Sequence, residues 1–228
     1  MGLNKIWHIS DTHTFHRQLN PPDADIVIFS GDCSNPRDKY ISEREIRDFI
    51  DWFASLNIPN KIFVAGNHDI AIERNMVTPA DFAKAGIVYL EKQSTTILGL
   101  KIWGSAITPS FGTGWAFNRD RGKLDAIWSK IPEDTDILVT HGPAKGILDL
   151  SYNIDGNLEY CGCKALRRNI FRVKPKLFCF GHIHDSVDCF NAGYTKIAGL
   201  DTIFSNGSVV MDGKFEYGAV HNGNIFEL

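Results

Sequence analysis

Residues 62–69 read Ile62-Phe63-Val64-Ala65-Gly66-Asn67-His68-Asp69: four apolar side chains without alternation, a glycine, then three polar residues. A run apolar at every position belongs to a strand covered on both faces, not to one with a wet face. The pattern recurs four times. Ile6-Trp7-His8-Ile9 leads into Asp11-Thr12-His13, and Ile26-Val27-Ile28-Phe29 into Gly31-Asp32. Ile137-Leu138-Val139 leads through Thr140 into His141-Gly142-Pro143, and Leu177-Phe178-Cys179-Phe180 into Gly181-His182-Ile183-His184. The runs are short and β-branched, which favours strands over buried helix fragments. Open α/β sheets place ligands beyond the carboxyl ends of their strands, so five parallel strands bring five polar loops to one rim.

Helix signals lie between the runs. Ser42 with Glu45 reads as a capping box, followed by Ile46, Phe49, Ile50 and Phe53 at helical spacing, with a stop before Pro59. Thr78-Pro79 through Asp81, with Gly86 behind, reads as a short second helix. Leu124, Ile127, Trp128 and Ile131 mark a third, ended by Pro132, and Cys163, Leu166 and Ile170 a fourth, ended by Pro175. Residues 87–108 and 187–220 read as shorter strands, with hairpin signals at Asn206-Gly207 and Asp212-Gly213. The expectation is a layered α/β domain with a mixed sheet or two stacked sheets, one domain over residues 1–228.

The chain has 228 residues, 43% hydrophobic and 22% charged, with 24 Lys and Arg against 27 Asp and Glu for a net charge of -3. That excludes a disordered tail and a strongly basic DNA wrapper. Five scattered cysteines (Cys33, Cys161, Cys163, Cys179, Cys189) make no disulfide framework. Cys161-Gly-Cys163 is too close and too solitary for a zinc motif. No stretch resembles a signal peptide or approaches the ~20 apolar residues of a membrane span, so the expectation is a soluble, cytoplasmic protein without a membrane partner.

Five of the eight histidines (His13, His68, His141, His182, His184) fall in the polar loops. Residues i and i+2 on an extended segment point the same way, so Asp11 with His13, or His182 with His184, can address one locus. Asp11, His13, Asp32, Asn67, His141, His182 and His184 form a hard-to-borderline donor set suited to Mn²⁺, Fe or Zn²⁺ and poor for copper. Seven donors with one shared carboxylate suffice for two ions of four protein contacts each. Each loop alone has an innocent reading: an aspartate after a strand caps helices, Gly-Asn makes turns, and a lone buried histidine is more often packing than ligand. Five such loops in one chain are not explained that way.

These five blocks, in order between residues 11 and 184, resemble the signature of the calcineurin-like metallophosphoesterases. The stretches Asp11 to Leu19, Gly104 to Gly122 and Thr140 to Asp149 are similar to the class III cyclic-nucleotide phosphodiesterases and the vertebrate metallophosphoesterase-domain proteins. The resemblance implies a sandwich of two mixed β-sheets flanked by helices, with the metal site at the strand carboxyl ends. It implies one ion on Asp11, His13, Asp32 and His184, and another on Asp32, Asn67, His141 and His182. The ions are expected to be divalent, Mn²⁺ first, with Fe or Zn²⁺ as alternatives. It further implies attack by a bridging hydroxide, His68 as general acid, and Asp69 as the carboxylate beside that imidazole. The expected substrates are small phosphodiesters, cyclic nucleotides (2′,3′ or 3′,5′) foremost. Two rival readings are a nuclease or nucleic-acid end-processing phosphatase, and an inactive metal-binding module; overall charge disfavours nucleic acid as partner. Two departures stand out: Thr14 where many relatives carry glycine, and Asp185-Ser186-Val187 without a nearby glycine.

Further residues are candidates for substrate contact, each beside a plainer reading. His16 and Arg17 can reach phosphate or start a helix. Trp115 and Asn118, in the aromatic and glycine loop 111–118, can stack a base or simply pack. Arg121 can clamp phosphate or form a surface ion pair. Lys164, Arg167, Arg168, Arg172, Lys174 and Lys176 read first as a solvated helix face, and His8 as a packed histidine.

Overall fold

All five apolar runs are strands in the computed structural model, which describes residues 2–35, 38–153, 155–212 and 218–228. The first sheet takes β1 (Lys5–Ile9), β2 (Ile26–Phe29), β3 (Asn60–Phe63), β4 (Ile87–Tyr89) and β15 (Asn224–Glu227) in the order β15-β1-β2-β3-β4. Its first four strands are parallel and β15 is antiparallel to β1. The second takes β5 (Gln93–Ile97), β6 (Leu100–Ser105), β9 (Ile137–Thr140), β12 (Leu177–Phe180), β13 (Gly193–Thr195) and β14 (Ile203–Asn206) in the order β13-β14-β12-β9-β6-β5. Here β6, β9, β12 and β14 are parallel, and the two edges antiparallel. Two ribbons complete the strands, β7 (Thr108–Pro109) with β8 (Asn118–Arg119) and β10 (Leu150–Tyr152) with β11 (Leu158–Tyr160).

The unbroken apolar runs divide between two cores by the two-residue period of a strand. Ile102, Ile137, Val139, Leu177 and Cys179 belong to the core shared with the first sheet. Trp103, Leu138, Phe178 and Phe180 belong to the core on the other face, beneath α4 (Leu124–Trp128) and α5 (Lys164–Val173). The first sheet is covered by α1 (Lys39–Ser55) and α3 (Pro79–Lys84): Phe49 of α1 lies 4.4 Å from Phe29, and Phe82 of α3 lies 4.5 Å from Phe63. The molecule is therefore layered helix, sheet, sheet, helix, as the resemblance implied.

Three local readings need correction. α1 begins at Lys39, a turn before the expected capping box, because the Asp38 carboxylate accepts from the N–H groups of Tyr40 and Ile41. Ser42 lies inside the helix with its hydroxyl against Ser34, and Glu45 accepts from the Asn35 N–H. Asn206-Gly207 is no hairpin: Asn206 ends β14, parallel to β12, and Gly207 continues the chain beneath the His8 ring. Of the second hairpin signal, Gly213 lies outside the described residues. A short helix that the sequence did not announce, α2 (Ile70–Glu73), follows the Asn67-His68-Asp69 loop. The cap and breaker signals of α3 and α5 match the helices found, and Cys163 caps α5 by accepting from the Leu166 N–H; α4 stops at Trp128, so Ile131 lies beyond it and Pro132 does not end the helix.

A candidate two-ion centre

Beyond the strand ends, backbone bonds stitch the five loops together. The Asp11 N–H donates to the Gly31 carbonyl at 2.8 Å and the His13 N–H to the Asp32 carbonyl at 3.1 Å, joining the loops after β1 and β2. The Gly181 N–H donates to the His141 carbonyl at 2.8 Å, joining those after β12 and β9. Between sheets, Ser10 bridges to Ser208, and His141 reaches the Ser30 carbonyl. Close packing demands glycine at Gly66 and Gly181, where a Cβ would collide with the carboxylates of Asp32 and Asp11 respectively.

Four residues in these loops hold left-handed backbone: Asp11 (φ 52°), His13 (φ 40°), Asp32 (φ 61°) and His182 (φ 70°). Each costs about 1–2 kcal/mol for a residue with a Cβ, a strain that persists where the surroundings over-determine it and that gathers at functional sites. Thr14 adopts φ 75°, so the residue that departs from the family's glycine keeps glycine-like backbone.

Three groups of carboxylate oxygens and imidazole nitrogens come within 4.8 Å: Asp11, His13 and His184; His13, Asp32 and His68; Asp32, His141 and His182. Shared His13 and Asp32 make them one continuous cluster. Asn67 joins through its Oδ1, 2.9 Å from His141 Nε2. All seven expected ligands are thus brought together, and five of them, with Asn67, are buried almost completely.

The histidine tautomers follow from the neighbours. His13 Nδ1 lies 3.1 Å from the Ser34 carbonyl and His141 Nδ1 lies 2.9 Å from the Ser30 carbonyl. A carbonyl only accepts, so these Nδ1 atoms carry a proton and each Nε2, once deprotonated, turns its lone pair to the cluster. His141 Nε2 then faces Asn67 Oδ1 and, at 3.2 Å, Asp32 Oδ2. His184 Nε2 faces His13 Nε2 at 3.4 Å and Asp11 Oδ1 at 3.1 Å, while its Nδ1 is held by Asp212 at 2.7 Å. Acceptors converging on acceptors call for a cation between them, and the donor set fits divalent ions.

The charges agree. Burial raises a carboxylate, but at Asp32 it is outweighed by His141 and His68, which hold the group well below the usual range. At Asp11 burial is likewise outweighed, here by His184, and the value falls to about 2. Burial pulls His141 and His184 down, yet Asp32 lifts the first to about 9, and Asp11 with Asp212 lifts the second to about 10. His13 and His182 are less compensated, and burial takes them to about 4 and about 3. Two buried carboxylates thus require positive charge, which imidazolium protons or metal ions can supply in competition.

His68 is partly open, its side chain 20% exposed, with its ring between His13 and Trp115 at 4.7 Å from each. Its Nδ1 is held by the Asn35 carbonyl and its Nε2 lies 3.9 Å from Asp32 Oδ2. Asp69 corrects the expectation placed on it. Its carboxylate does not lie on the His68 ring; it accepts from the backbone N–H groups of Asp32, Cys33, Ser34 and Gly66. The orienting partner of His68 is instead a backbone oxygen.

The outlying candidates separate. His16 is fully buried beneath α1, with Nε2 on Asp48 and its ring against Phe49 and Trp52, so it cannot meet substrate. Arg17 is occupied with Asp48 at 2.6 Å. Asn118 uses its amide inside its own loop, on Thr108, Ala116 and the Phe111 N–H. Trp115 lies over His68, and Phe111 lies 5.0 Å from His182. Arg121 donates to the carbonyls of Gly162 and Cys161 and lines a cavity of about 490 Å³ beside His182, with Phe111, Pro143 and Tyr152. Sequence reading missed Asp212, disguised as a turn residue, and the carbonyls of Ser30, Ser34 and Asn35, which no side chain announces. His8 is the packed histidine expected, spanning Ser30 and Ser205, and all five cysteines are free. No helix among the described residues is long and apolar enough to cross a membrane.

Comparison with known proteins gives the same outline. The human metallophosphoesterase domain-containing protein 1 is 31% identical over 234 aligned positions, covering 91% of this chain and 67% of that one. Its mouse counterpart matches to the same extent. The crystal structure of TT1561 of Thermus thermophilus shares the fold, with a TM-score of 0.59 at 14% identity over 90% of this chain and 88% of that one. A sequence profile of the calcineurin-like phosphoesterases matches residues 4–186, the span that supplies every buried donor described above, and the chain belongs to that family.

Proposed function

We propose that this protein is a two-metal phosphodiesterase acting on small nucleotide diesters, with cyclic nucleotides as the simplest substrates. The reading rests on one observation above the others: two donor groups, Asp11, His13 and His184 on one side and Asp32, His141 and His182 on the other, joined by His13 and Asp32, beside a cavity of nucleotide size that His182 lines. Asp32, which lies with His13 and His68 as well as with His141 and His182, is the carboxylate we assign to both groups, and Asn67 completes the second. Divalent ions, Mn²⁺ foremost and Fe or Zn²⁺ as alternatives, supply Lewis acidity and a water of lowered pKa.

The side chains do the remaining work. His68 holds the proton of Nδ1 on the Asn35 carbonyl, so the proton it exchanges is the one on Nε2, which faces the cluster. Delivery of that proton to the departing alkoxide leaves the neutral Nδ1–H tautomer that Asn35 already supports. Trp115 walls the ring on one side and His13 on the other, fixing the direction of transfer.

The test is a parallel assay of Mn²⁺-reconstituted protein on bis-nitrophenyl phosphate, nitrophenyl phosphate, cyclic nucleotides and short DNA. Diester cleavage with weak monoesterase activity is expected; cleavage of DNA alone makes the protein a nuclease, and no cleavage with two ions bound makes it a binding module. His68→Ala retains its metal content and loses about 10²–10⁴ in rate on alkoxide leaving groups, with a much smaller loss on nitrophenolate. Equal losses on both remove His68 from the acid role.

A further inference from the structure

The cavity beside His182 does not end at Arg121. A second cavity of about 460 Å³ shares Arg121, Glu159 and Cys161 with the first and continues toward the start of α5, past Lys145, Lys164 and Arg168. Its charges are unusual for this chain, which is net acidic. Three basic residues of the α5 segment have carboxylate partners: Arg168, which lines the second cavity, pairs with Asp125 at 2.9 Å, Arg172 with Glu133 at 3.5 Å and Lys176 with Asp136 at 2.9 Å. Three other cations along the trough do not. Arg121 donates to the carbonyls of Gly162 and Cys161, and Lys145 to the carbonyl of Tyr160, so both are positioned without losing charge. Among the described residues, Lys164 makes no ion pair. Three cations without a carboxylate partner therefore face a single acid, Glu159.

From the shared wall of the two cavities and these three uncompensated cations we infer a subsite for a second phosphate, one nucleotide unit beyond the phosphodiester at the candidate metal centre. The ligand class is a linear dinucleotide carrying a terminal phosphate. Its scissile diester lies at the ion cluster, the nucleoside between occupies the Phe111 and Tyr152 cavity, and the terminal phosphate meets Arg121, Lys145 and Lys164. Guanidinium and ammonium groups hold phosphate by charge-assisted hydrogen bonds, which a cyclic mononucleotide, with its one phosphate, cannot use. The inference rests on the diesterase reading, which it narrows.

The experiment compares pApA, with its terminal phosphate, against ApA, which lacks it, on the Mn²⁺-loaded protein. Both kcat/KM and direct binding by fluorescence anisotropy are read. The wild type is expected to favour pApA at least tenfold. Lys164→Glu brings the ratio to about one, and Lys145→Gln, which keeps a donor for the Tyr160 carbonyl, lowers it by less. A ratio near one in the wild type overturns the subsite and leaves the diesterase reading standing. If neither compound is hydrolysed, the diesterase reading fails, and the anisotropy ratio still decides whether the second phosphate is held.

Discussion

The Asp69 carboxylate accepts from four backbone N–H groups, three in the loop after β2 and one in the loop after β3, and takes the Ser34 hydroxyl besides. It sets the position of Asp32 from behind, through the main chain. Burial and the nearby Asp32 charge raise its pKa, so the clamp is most secure when the Asp32 carboxylate is itself neutralised. Asp69→Asn replaces one acceptor oxygen by a donor that faces other donors. It is expected to lower unfolding free energy by about 2–4 kcal/mol and to weaken metal binding, measured by urea denaturation and metal titration. Unchanged stability with a loss confined to turnover indicates instead that Asp69 acts on His68. The side-chain donors were legible because carboxylates and imidazoles recur after apolar runs. The work of Asp69 was not, since its partners are peptide N–H groups that every sequence contains. His16 eludes sequence reading for a related reason: only the packing of α1 over it shows that it is covered.

Elements were legible where a local rule had no competitor. β2, β9 and β12 are buried at every residue, as short continuous apolar runs require of a strand covered on both faces. The sequence pointed to Ser42 as the start of α1, and tertiary contacts overrode it: Asp38 caps the helix, while Ser42 is drawn inward to Ser34 and to the Ala71 N–H. Asn206-Gly207 carried a strong turn signal, but there the glycine serves close approach, since a Cβ would stand 2.7 Å from the His8 ring. The energies of α1 should separate by site. Asp38→Ala removes a cap and is expected to cost about 1 kcal/mol. Phe49→Ala empties the contact between α1, Phe29 and Phe63 and should cost about 3–5 kcal/mol. Denaturant midpoints measured on the two variants check the order, and equal losses contradict the assigned start of the helix.

At the scale of the whole molecule, the ion cluster ties the two sheets together and links stability to pH. His141 and His184 titrate at about 9 and about 10 when folded, above the 6.5 of an unperturbed histidine. Their protonated pairing with Asp32 and Asp11 therefore stabilises the metal-free fold fully below about pH 6.5, and that contribution fades as pH rises toward 9–10. Metal ions need the same nitrogens deprotonated, so their affinity moves the opposite way and strengthens over that interval. The rise in melting temperature on adding Mn²⁺ should be small at about pH 6 and grow steadily to about pH 9, with protons released on binding. Paired thermal scans in matched buffers measure it, and a rise that shrinks with pH contradicts the ligand assignment.

The left-handed backbone at Asp11, His13, Asp32 and His182 has a corollary. At each of those four places glycine would relax the main chain, at the cost of the side chain. For Asp11 and Asp32 that cost includes the acceptors of the His182 and His68 N–H groups. Backbone comfort and the gathering of donors therefore pull against each other at these positions, and glycine should be tolerated for folding at His13 and His182 before it is at either aspartate.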